Sequence, residues 1–70
     1  MTFEEIKTKL VAAGVPAYAV AEVYSGERRD VFVDNRDLAP LRKNKAVDKA
    51  IRALRFDVSD KGLIFLTTTS

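Results

Sequence analysis

Tyr18-Ala-Val-Ala-Glu-Val-Tyr24 and Arg28-Arg-Asp-Val-Phe-Val-Asp34 alternate with a period of two on either side of Ser25-Gly26, and this stretch decides the fold. Such alternation marks strands with one buried face, and a Gly-containing gap marks a tight reversal, so residues 17–34 read as a β-hairpin. Whether the loop has two residues or four, the pairing parity is the same. Tyr18, Val20, Glu22 and Tyr24 therefore share a face with Arg29, Val31 and Val33. On that face Tyr18, Val20, Val31 and Val33 are expected to bury against a helix, with Glu22 near Arg29 towards the exposed tip. The opposite face carries Ala17, Ala19, Ala21, Val23, Arg28, Asp30 and Phe32. It is small and wet, and Phe32 is its exception.

Working outward, the period on the N-terminal side is that of a helix. Phe3, Ile6, Leu10 and Ala13 recur near every 3.6 residues over 2–13, and Thr2 with Glu5 forms a capping box. Gly14 stands where a left-handed cap ends a helix, Val15 can fold back on the last turn, and Pro16 prevents continuation. On the C-terminal side, residues 35–45 read as a polar connection interrupted by Leu38, Pro40 and Leu41, with room for one helical turn across 36–39. A second helix is predicted from Lys45 to Arg55, with Val47, Ala50, Ile51 and Leu54 on one stripe and Asn44 as N-cap. Phe56-Asp57-Val58-Ser59 and Leu63-Ile-Phe-Leu-Thr67 then form a second hairpin, in which Gly62 is read as meeting a positive φ.

The predicted order is α-β-β-α-β-β over a single domain spanning residues 1–70. Two amphipathic helices and four antiparallel strands are satisfied most economically by a small α+β two-layer sandwich with both helices on one face of the sheet. Leu63 to Leu66 do not alternate, which implies cover on both faces of that strand.

Size and composition bound the rest. A 70-residue chain buries only about 60% of its unfolded surface, so its core is thin. The 47% hydrophobic and 31% charged content is that of a folded domain. There is no Cys and no His, which removes disulfides, thiolate chemistry, the usual zinc sites and a histidine general base. No apolar run reaches membrane-span length, and the N-terminus is acidic where a signal peptide is basic, so a cytoplasmic location is expected. No cofactor is expected, because three isolated glycines cannot build a phosphate-binding loop.

No set of groups converges on catalysis, and the reading is of a non-enzyme. Glu4 and Glu5 complement the dipole of the first helix, and Asp57 and Asp60 flank a turn. The acids between Asp30 and Asp37 lack the Gly and terminal Glu of a calcium loop, and two of them lie on a strand, so no metal site is assigned.

Charge is segregated along the chain. Residues 1–35 carry net −2, whereas residues 42–55 carry Arg42, Lys43, Lys45, Lys49, Arg52 and Arg55 against Asp48 alone. These six cations are the candidate contacts for phosphate or for an acidic partner, with a steep salt dependence if about five engage duplex DNA. Against that stands the ordinary soluble face of an amphipathic helix, supported by an Asp48–Arg52 pair one turn apart. No aromatic is interleaved to stack bases, and the overall balance is only +2. A winged-helix arrangement of residues 36–67 is disfavoured by the short Asp60-Lys61-Gly62 tip.

The second candidate surface is the outer face of the sheet. Val23, Phe32, Leu63 and Phe65 are the residues expected to present it to a protein partner or to a second copy of the chain, unless a loop such as Leu38-Ala-Pro-Leu41 covers them. The function expected is therefore a non-catalytic module acting through protein–protein contact, of the kind common among phage and mobile-element accessory proteins that occlude a host factor. The alternative is a small nucleic-acid-binding protein using segment 42–55.

Overall fold

The computed structural model describes residues 1–67. Helix α1 (Phe3–Ala13) begins at the predicted capping box: the Glu5 N–H donates to the Thr2 hydroxyl and the Thr2 N–H to the Glu5 carboxylate, both at 3.2 Å. It ends at Gly14 with φ 118°, where the Val15 N–H reaches the Leu10 carbonyl at 3.0 Å and the Gly14 N–H that of Val11 at 3.1 Å. This is a Schellman closure, and it turns Val15 inward beside Leu10.

The hairpin starts later than its alternation suggests. Pro16 holds φ at −61°, and residues Ala17–Ala19 form a 3₁₀ turn closed by the Ala19 N–H on the Pro16 carbonyl at 3.0 Å. Tyr18 therefore leaves the strand and is 85% exposed rather than buried, while Ala19 takes the buried position. Strands β1 (Val20–Ser25) and β2 (Arg28–Asp34) follow, with Ser25 opposite Arg28 across the two-residue turn Gly26-Glu27. Val20 opposes Val33 and Glu22 opposes Val31, so the predicted faces hold for these strands.

Residues 35–45 are more ordered than their polarity implied. Asp34 caps helix α2 (Asn35–Leu41) by accepting from the Arg36 N–H at 2.8 Å, and Leu38 is buried. Pro40 has no N–H to continue the ladder, and the helix ends one residue later. Helix α3 (Lys45–Arg52) starts at Asn44, whose side chain accepts from the N–H groups of Ala46 and Val47, and it stops three residues short of Arg55. The order is thus α-β-β-α-α-β-β, closing with β3 (Phe56–Val58) and β4 (Gly62–Phe65).

The four strands make one antiparallel sheet in the order β1-β2-β4-β3. Val31 opposes Phe65 and Val33 opposes Leu63, which puts all four on the inner face. There they join Phe3, Ile6 and Leu10 of α1, Leu38 of α2, Val47 and Ile51 of α3, and Leu54 just beyond α3 in one buried cluster. Each such side chain contributes about 1.5–3 kcal/mol by leaving water. The rings of Phe56 and Phe65 meet with centroids 5.8 Å apart.

Gly62 is required for a different reason than its turn suggested. Its φ is not positive; instead a Cβ there would collide with the Val33 carbonyl oxygen and lie 3.0 Å from Asp34 Cα. The close approach is sealed by the Asn35 N–H on the Lys61 carbonyl at 2.8 Å. The residue with φ 63° is Gly26, in the first hairpin turn.

Candidate functional site

All three helices contribute to the inner cluster, so among the described residues no helix covers the outer face of the sheet. Phe32 and Ile64 are cross-strand partners there, and Val23 lies diagonally beside Phe32 on β1. All three are half-buried. Together with Glu22, Ser59, Asp60 and Lys61 they line a shallow concavity of about 470 Å³. Asp57, the register partner of Ile64, stands exposed at its side. The apolar floor is thus flanked by more acids than bases.

Two of the residues expected on this surface are elsewhere. Leu63 and Phe65 point inward and are 2% and 0% exposed, because the register with β2 sets them opposite Val33 and Val31. Ile64 takes their place, and the cover implied by the unbroken Leu63–Leu66 run exists on one side only. Nor does the Leu38–Leu41 segment close over the outer face, since Leu38 enters the inner core and Leu41 packs against it.

Asp30 also lies on the outer side of β2, yet it is fully buried. Its Oδ1 accepts from the Thr67 N–H at 3.0 Å and the Thr67 hydroxyl at 2.9 Å, and its Oδ2 from Arg28 Nε at 2.9 Å. Burial pushes this carboxyl up, but the Thr67 and Arg28 donors outweigh it and hold it below its ordinary value. The network fastens Thr67, beyond the end of β4, to β2. Both Asp30 oxygens are engaged within the protein.

The inner-face tip of the hairpin is closed by Arg29. Its guanidinium lies 3.8 Å from the centroid of the Phe3 ring and donates to Glu22 at 2.8 Å. Glu22 also accepts from the Tyr24 hydroxyl at 3.0 Å, and the Arg29 and Tyr24 bonds keep its carboxyl below the usual value.

The basic segment is brought together on the helix layer, away from the outer face, and it is organised around Asp48. Arg42 Nε and Arg52 Nε contact opposite oxygens of that carboxylate at 2.8 and 2.9 Å, and these contacts lower its pKa, the Arg42 bond most. Lys43, Lys45, Lys49 and Arg55 are exposed. The acids between Asp30 and Asp37 do not converge: Asp30 turns to Thr67 and Arg28, while Asp34 caps α2. No group of three residues able to hold a metal ion lies among the described residues, and no helix among them is long and apolar enough to cross a membrane.

Sequence reasoning named Leu63 and Phe65 where Ile64 stands, and it placed Asp30 on the outer face without foreseeing its burial. The signal for Ile64 was parity, since any antiparallel partner of the Val31–Val33 strand that buries Leu63 must turn Ile64 towards Phe32. Compared with protein-family models, curated proteins and solved structures, the chain matches none.

Proposed function

We propose that the protein is a non-enzymatic binding module whose outer sheet face docks a partner protein. One observation carries this reading: Val23, Phe32 and Ile64 form an apolar strip on a sheet face that no helix covers among the described residues. Contiguous apolar surface on a small protein is characteristic of interfaces. Asp57 and Asp60 beside the strip favour a partner that presents apolar side chains flanked by Lys or Arg. The non-catalytic reading is supported by Asp30, the buried carboxylate among the described residues, whose two oxygens are both tied to Thr67 and Arg28.

The basic segment supports a nucleic-acid reading less well. Asp48 holds two of its six cations, which leaves four to meet phosphates and a log–log salt slope no steeper than about −4 on duplex DNA. The test is affinity capture with the immobilised protein, compared with Phe32→Asp and with Lys45→Glu/Lys49→Glu. The proposal expects discrete protein partners lost with Phe32→Asp and retained with the double Lys variant. An unchanged profile with Phe32→Asp overturns it.

A further inference from the structure

The two edges of the sheet are unequal. On β3 the edge is three residues long and carries Asp57, which is how natural sheets discourage pairing. On β1 it is six residues long, with no Pro, no Lys and no bulge; its one charged side chain, Glu22, is already held by Arg29 and Tyr24, and Tyr24 stands exposed near the turn end. A free edge of this kind is a template for another strand.

The hairpin geometry says which backbone groups are open. In a two-residue hairpin the residues flanking the turn, Ser25 and Arg28, form a hydrogen-bonded pair, and such pairs alternate along the ladder. Ala21, Val23 and Ser25 therefore bond to β2, and the N–H and C=O groups of Glu22 and Tyr24 face the open edge. The Val20 N–H is already donated to the Ala17 carbonyl.

We infer that β1 pairs antiparallel with β1 of a second copy, with Val23 opposite Val23 on the two-fold axis, joining the two sheets into one of eight strands. The competing register sets Glu22 against Glu22 and requires the Val20 N–H, which is taken. A further shift brings in Gly26, which belongs to the turn. In the selected register each Glu22 faces the second copy's Tyr24, so a carboxylate meets a phenol rather than its own kind, and four backbone hydrogen bonds form from groups that are otherwise open. Val23 from both copies then meets on the outer face, which carries the apolar strip from Ile64 and Phe32 across the axis. A six-residue edge buries less than a standard interface, so the dimer dissociates in the micromolar range or above.

The experiment combines sedimentation with cysteine cross-linking, which is clean because the chain has no cysteine of its own. Wild type is expected to shift from monomer to dimer between 10 and 500 μM, and Val23→Lys to raise the dissociation constant at least tenfold with an unchanged circular dichroism spectrum. The central pair is of the non-hydrogen-bonded type, with Cα atoms about 4.5 Å apart, within disulfide range. Under mild oxidation Val23→Cys should therefore form disulfide dimers far faster than Ala21→Cys or Phe32→Cys. A wild-type monomer at 500 μM, or equal cross-linking at all three positions, overturns the inference. Outer-face binding does not depend on this pairing: partner capture that survives in a strictly monomeric protein refutes the dimer alone.

Discussion

Replacing Asp30 probes the one buried charged side chain among the described residues. Its Oδ1 serves both Thr67 donors and its Oδ2 serves Arg28, so substitutions dissect the network in order. Asp30→Asn keeps an oxygen for Thr67 but sets an amide N–H₂ against the Arg28 guanidinium. The loss of one charge-assisted bond and the opposition of donors cost about 2–3 kcal/mol. Asp30→Ala strands all three donors and costs about 3–5 kcal/mol, a large part of the total stability of roughly 4–10 kcal/mol for a chain of this size. Thr67→Val removes only the hydroxyl and costs about 1 kcal/mol. At about 4–8 °C per kcal/mol, Asp30→Asn lowers the melting temperature by about 10–20 °C. The pH dependence follows from the lowered carboxyl. Its contribution is complete above the unfolded value of about 3.8 and is lost as pH falls through the lower folded value. Glu5, Glu22 and Asp48 are lowered too and add to the acid loss, so Asp30→Asn keeps part of the decline below pH 4 but with a shallower slope. Urea unfolding of the four proteins at pH 7, 5, 4 and 3 checks both expectations. An Asp30→Asn variant within about 0.5 kcal/mol of wild type at pH 7, or with the same slope below pH 4, refutes the reasoning.

Two other outcomes are expected. Phe65→Ala should cost about 3–5 kcal/mol in urea unfolding, whereas Phe32→Ala should cost less than about 1.5 kcal/mol, because only the former opens a cavity in the core; equal costs would mean that the outer face is packed. In nucleic-acid titrations at about 150 mM salt the protein should show no binding tighter than the non-specific range of about 1–100 μM, and submicromolar binding lost with Lys45→Glu/Lys49→Glu would assign the function to α3 instead.

What could be read from the sequence was local. Thr2 with Glu5 marks one end of α1 and Gly14 with Pro16 the other, each pair only two or three residues apart, and the parity of the first hairpin follows from alternation alone. Helix α2 was legible only as a single turn across 36–39, because seven residues give the helical period only Leu38 and Leu41 to act on, and its anchor, the Asp34 cap, doubles as the end of a strand. Tyr18 was misplaced because a 3₁₀ turn after Pro16 consumes three residues of an alternating run. The remaining differences are long-range. Which side of Leu63–Leu66 is buried depends on pairing with a strand some thirty residues earlier, and the burial of Asp30 depends on Thr67, 37 positions away. Gly62 carries the same lesson, since its constraint comes from Val33 across the sheet rather than from its own turn.

The balanced charge of the chain conceals a two-sided molecule, with a basic helix layer on one side and an apolar, acid-flanked sheet face on the other. Placing a benzophenone amino acid at position 32, and in a separate protein at position 49, asks directly which side is used. Irradiation in an extract of the source cell, with wild type and Phe32→Asp as competitors, should give a discrete protein adduct from position 32 that wild type suppresses and Phe32→Asp does not. An adduct from position 49 alone, or one suppressed equally by both competitors, contradicts the assignment of binding to the outer sheet face.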